Sequence, residues 1–92
     1  MTKSVRHKGL KKLFKDGNRG SIRADQVERI ENILSMLCIA GKLKDFDLPS
    51  LRLHALKGDL KGVHAVTVRA NWRIVFRFED GDCNDVDLVD YQ

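Results

Sequence analysis

The stretch RLHALKGDLKG, residues 52 to 62, places His54 shortly before Lys57, with Gly58 and Gly62 behind it. An imidazole titrates near neutrality, at an ordinary pKa of about 6.5, and can take or give a proton. A lysine ammonium supplies a mobile positive charge. Together the two suit phosphodiester cleavage, in which one group moves a proton and another meets the charge building on the phosphoryl oxygens. Farther along, Arg73 carries a guanidinium that can hold two of those oxygens at once. Asp90 is a base or an orienter of His54, and Tyr91 can stack on a nucleobase or hydrogen-bond a phosphate. In RNA the attacking oxygen is the adjacent 2′-hydroxyl, so such a set can work without a metal.

Singly, these residues say little. A histidine at a strand edge is more often a surface residue than a catalyst. Arg73 and Arg77 can decorate an exposed sheet face, and Asp90-Tyr91 can end a strand. Lys57-Gly58 lacks the glycine pattern of a P-loop. Chemistry follows only if the fold gathers these groups.

Ninety-two residues make one small domain with one modest core. A hydrophobic content of 42% is ordinary for a globular chain and argues against disorder by composition. No apolar run has the length of a membrane span, so no membrane contact is expected. MTKSVRHKG leads into no apolar stretch, which argues against a signal peptide and for the cytoplasm. Cys38 and Cys83 stand far apart, outside any ligand spacing, and form no zinc pattern with His7, His54 and His64. Reduced thiols, no metal and no cofactor are expected.

The net charge is +4, unevenly placed. Lys8, Lys11, Lys12 and their neighbours make the first thirty residues basic, which suits either a solvated helical face or a phosphate backbone. Glu79, Asp80, Asp82, Asp85, Asp87 and Asp90 make the end acidic.

The elements that must position the chemistry read clearly in outline. Residues 3 to 6 suit a short edge strand. Leu10, Leu13 and Phe14 share a helical face, with Gly17 as a stop. Asp25 and Glu28 have capping-box spacing ahead of a stripe of Val27, Ile30, Leu34 and Leu37, closed by Gly41. A connection over 42 to 50 contains Pro49. Beyond it the period changes to alternation, over 51 to 55, 63 to 68, 72 to 78 and 86 to 89. Turns are expected at Arg69-Ala70-Asn71, where Asn71 would take the left-handed backbone, and between Glu79 and Asn84. This predicts an α+β fold, two N-terminal helices packed on one face of an antiparallel sheet. If Trp72, Ile74, Phe76 and Phe78 face the helices, Arg73 and Arg77 take the open face, joined by His54 if Leu53 points inward. Lys57 and Asp90 are further candidates for that face.

HKGLKKLF at 7 to 14, LHALKGDLKG at 53 to 62, VRANWRIVFRF at 68 to 78 and the terminal VDYQ closely resemble HigB toxins of the RelE superfamily. These belong to bacterial type II toxin–antitoxin systems. The resemblance covers nearly the whole chain, and its specificity lies in Leu56-Lys57-Gly58 combined with Asn71-Trp72-Arg73. It implies a RelE-like, microbial-RNase-type fold over residues 1–92. It also implies an endoribonuclease that cuts messenger RNA in the ribosomal A site. The implied partners are a HigA-type antitoxin, the 70S ribosome through its RNA, and the message itself. The family's active-site residues fall on His54, Lys57, Arg73, Asp90 and Tyr91, and Asn71 matches a position implicated in handling the codon. Related members usually end Asp-Tyr-His, whereas this chain ends Asp90-Tyr91-Gln92. Gln92 can hydrogen-bond RNA but cannot exchange a proton near neutral pH. Lost acid–base help is worth roughly 100- to 10,000-fold. Either His54 carries that duty, or the chain is an attenuated toxin that binds ribosome or RNA.

Overall fold

Helix α1, Lys8–Asp16, begins and ends where its backbone finds partners. The His7 ring accepts from the Leu10 N–H at 3.1 Å, supplying the N-cap. At the other end Gly17 turns left-handed at φ 67°, as its lack of a Cβ permits. Its N–H donates to Leu13 and the Asn18 N–H to Lys12, which satisfies two terminal carbonyls.

The computed structural model describes residues 2–20, 22–39, 41–56 and 62–90. After α1 come helix α2, Val27–Ile39, and a short 3-10 helix, Leu43–Phe46. The strands are β1, His54–Ala55; β2, Val63–Arg69; β3, Trp72–Glu79; and β4, Asp82–Asp90. They form one antiparallel sheet in sequence order. Residues 2 to 6 lie along the outer edge of β4 through parallel bridges at Thr2 and Val5, where the sequence suggested an edge strand. Among the described residues no helix is long and apolar enough to cross a membrane.

The expected layers are present. Leu10 and Leu13 of α1 join Val27, Ile30, Ile33, Leu34 and Leu37 of α2 in one core with the sheet. On the sheet side that core takes Val66, Val68, Ile74, Phe76, Val86 and Leu88. Register fixes the division, because side chains alternate between faces at a period of two. His64 pairs with Phe76 and Val66 with Ile74 on the covered face. Ala65 pairs with Val75 and Thr67 with Arg73 on the other. Cys83 is buried, and burial pushes its thiol up to about 11, so it packs as a small apolar group.

Four local expectations are corrected. Asp25 does not cap α2; its carboxylate pairs with Arg69 at 3.1 Å and Arg23 at 3.5 Å instead. Strand β1 is two residues long because Arg52, at φ 49°, leaves the extended region just before it. In the first hairpin Ala70, not Asn71, takes the positive φ. The second turn is only Asp80-Gly81, both at positive φ, and the strand resumes at Asp82. That geometry matches the twist of the flanking strands. A bulge at Asp85, φ 53°, then places Cys83 and Val86 on the same side although they are three apart.

The 42 to 50 connection carries structure that the alternation did not announce. Phe46 is fully buried and packs on Phe76, with ring centroids 5.3 Å apart, and edge-on against Phe78 at 6.0 Å. Arg29 closes the same region. Its guanidinium donates to three carbonyls, those of Ser50 at 2.5 Å, Val68 at 2.9 Å and Thr67 at 3.2 Å. One side chain thus ties α2 to β2 and to the segment that delivers β1. Arg29→Ala should cost about 2 kcal/mol of stability, since charge-assisted bonds to carbonyls are lost and not replaced. Urea unfolding checks this, with Arg29→Lys recovering only part of the loss because an ammonium lacks the planar fork.

Candidate active site

The helix-free face of the sheet holds a cleft of about 340 Å³ lined by Arg52, His54, Ala65, Thr67 and Arg73. Two of the residues singled out from sequence therefore share one wall. His54 reaches it because β1 pairs with β2 in one register, His54 opposite Ala65. Leu53, one residue earlier, is half-buried against the core, and His54 is exposed. Arg73 reaches it because Thr67 faces Arg73 across β2 and β3. The cleft is open to solvent, and its lining carries two guanidinium groups and an imidazole.

Arg73 is half-buried and anchored. Its Nη1 donates to the Ala70 carbonyl at 2.6 Å and to the Trp72 carbonyl at 3.2 Å. These bonds use one nitrogen of three and fasten the guanidinium to the turn that carries Asn71. Asn71 is exposed at the tip of that turn. The two residues separated by Trp72 in sequence are thus linked mechanically. Their relative position depends on the short Ala70–Asn71 connection.

Asp90 departs from the expected open-face set. It pairs with Trp72, while its neighbour Val89 pairs with Arg73. The pleat therefore directs Val89 to the cleft side and Asp90 to the other, at the sheet's end. Asp90 is exposed there. Lys57, Tyr91 and Gln92 lie outside the described residues. Lys8, Lys11 and Lys12 are exposed on α1, in the helical layer behind the sheet, and do not join the cleft.

Sequence reading missed Arg52. It stands two positions before His54 and would share its face in a regular strand, which was the available signal. The left-handed backbone at Arg52 breaks that regularity, yet the residue lines the same cleft. It adds a second guanidinium to the wall.

A helical layer on one side of a four-stranded antiparallel sheet, with a cationic cleft on the other, is consistent with a RelE-like fold. A family model described as the RelE-like toxin of the type II toxin–antitoxin system HigB matches residues 3–92. The endoribonuclease HigB of Proteus vulgaris is 42% identical over 91 residues, which cover 99% of both chains. The chain belongs to the HigB-like family of RelE-type toxins. Membership of a toxin–antitoxin family carries with it an antitoxin partner.

The wall makes a measurable demand on an RNA ligand. For single strands, each phosphate contact contributes about 0.7 to the salt slope of the logarithm of affinity. Arg52→Ala should lower that slope by about 0.7 for a short single-stranded RNA, read by fluorescence anisotropy across a salt series. An unchanged slope would remove Arg52 from the RNA-contacting wall.

Proposed function

We propose that this HigB-family toxin is an endoribonuclease that cuts messenger RNA in the ribosomal A site, working in the cytoplasm and neutralised by a HigA-type antitoxin. The relationship to the Proteus vulgaris endoribonuclease supports the activity. The observation that carries the chemical reading is the shared cleft of His54 and Arg73 on the uncovered sheet face.

The reaction follows from those groups. A base takes the 2′-hydroxyl proton, and the oxygen attacks the neighbouring phosphorus. The 5′-oxygen leaves with a proton, and a 2′,3′-cyclic phosphate remains. Arg73 meets the charge on the phosphoryl oxygens through the guanidinium nitrogens not fixed to the turn. Lys57 adds a mobile charge from the segment after β1. His54 carries proton transfer. Asp90, next to the residue that faces Arg73, is turned to the other face at the sheet's end, so this proton transfer does not use it. Tyr91 positions the nucleotide, with Asn71 and Gln92 contacting RNA. The α1 lysines, Lys8, Lys11 and Lys12, face away from the cleft and suit ribosomal RNA, so one face holds the substrate while the other layer grips the ribosome.

Two experiments test the scheme. Arg73→Ala should lower cleavage on translating ribosomes by about 100- to 1,000-fold, the usual cost of losing one charge-stabilising donor. Primer extension reads it, and circular dichroism confirms that the fold is kept. Arg73→Lys should recover only part, because the ammonium lacks bidentate geometry. Gln92→His should raise the rate by about 100-fold if a terminal imidazole supplies the missing acid–base help. No gain, with fast cleavage by the unaltered protein, would leave His54 as the sufficient proton carrier.

A further inference from the structure

The open face holds a second cleft, of about 170 Å³, beside the first. Its floor is Val63, Val75 and Val89, and Arg6, Arg77 and Asp87 stand around it. Val75 joins the two clefts. It faces Ala65, in the wall of the His54 cleft, on one side and Asp87 on the other. Along β3, Val75 lies about 7 Å from Arg73, one nucleotide's reach along an extended strand.

We infer that this second cleft seats the nucleobase next to the scissile linkage, and that Asp87 selects bases bearing an exocyclic amino group over uracil. The inference rests on the ribonuclease reading and deepens it. A valine floor suits the flat face of a base and offers nothing to a phosphate. Asp87, with Asp85 close by in the same cleft, repels a phosphate and leaves the backbone to the arginines. Single-stranded RNA is read in this way, with a base turned out of the stack and hydrogen-bonded along its Watson–Crick edge. The Asp87 carboxylate accepts one bond from the Leu88 N–H at 2.9 Å, which fixes its orientation. A carboxylate has further acceptor sites and no proton to donate near neutral pH. Adenine, cytosine and guanine each turn an amino donor toward such a group. Uracil offers only its N3–H there, flanked by two carbonyl oxygens that the carboxylate repels.

The test uses ribosomes paused with a vacant A site, so that no transfer RNA reads the codon. Messages differ only at one nucleotide beside the cut, varied first on its 5′ side and then on its 3′ side. The unaltered toxin should cut the uracil message about tenfold more slowly at one of the two positions. Asp87→Asn gives the side chain a donor while keeping an acceptor, and should bring the four messages within about twofold. Equal cutting by the unaltered toxin at both positions overturns the inference, whether or not the variant folds. So does a folded Asp87→Asn that keeps the full discrimination. Failure of the unaltered toxin to cut any message would instead sink the ribonuclease reading itself.

Discussion

Two short helices can cover only one side of a four-stranded sheet, and everything else in this molecule depends on which side they cover. The choice is made by alternation. Ile74 and Phe76 are buried to the last atom, so Arg73, Val75 and Arg77 must turn the other way. The uncovered face is therefore the automatic complement of a well-packed one. Its polar inventory is set by the residues that the core leaves over. Arg29 makes the arrangement hold at the edge, where β1 is too short to define itself. By bonding Ser50, Thr67 and Val68 together it sets the segment before His54 against β2. A residue behind the sheet thus governs the placement of a group on its front.

The charge asymmetry of the sequence takes on a spatial meaning in this frame. The N-terminal lysines belong to the helical layer, while the C-terminal carboxylates are threaded along β4, the strand that borders the second cleft. Their effects on a polyanion differ accordingly. Lysines on a convex helix attract without specifying. Carboxylates set singly between arginines on a sheet resist phosphate and favour donor-bearing partners. The acidic end need not oppose RNA binding when its charges are spaced by the pleat and interleaved with Arg77 and Arg6.

Much of this was legible in advance, for identifiable reasons. Leu10, Leu13 and Gly17 announce α1 because a helix with a single buried stripe and a left-handed stop has few other readings. The run from Trp72 to Phe78 announces its faces because large aromatic and aliphatic groups alternate with arginine. The failures have their own physics. Asp25 and Glu28 satisfy the spacing of a capping box, but an ion pair to Arg69, forty-four residues away, takes the carboxylate elsewhere. The start of β4 is hidden because the bulge at Asp85 interrupts the alternation that would reveal it. Asp90 joins the expected site when chemistry alone is considered, and its register with Trp72 separates it from Arg73 by one pleat. Arg52 escapes notice because its backbone leaves the very periodicity from which its neighbours were read. Propensity and period report local preference; Asp25, Asp85 and Asp90 answer to partners distant in sequence.

The backbone at Arg52 has one more implication. A residue with a Cβ held at φ 49° costs about 1 kcal/mol that a glycine would not. Glycine there would relax the chain and also erase a guanidinium from the cleft. Conformational comfort and cationic density are in direct conflict at this single position, and the sequence resolves the conflict in favour of charge. Strain of that kind, kept beside an open cleft while the core is packed without it, marks the rim of the sheet as the part of the molecule shaped by what it must hold.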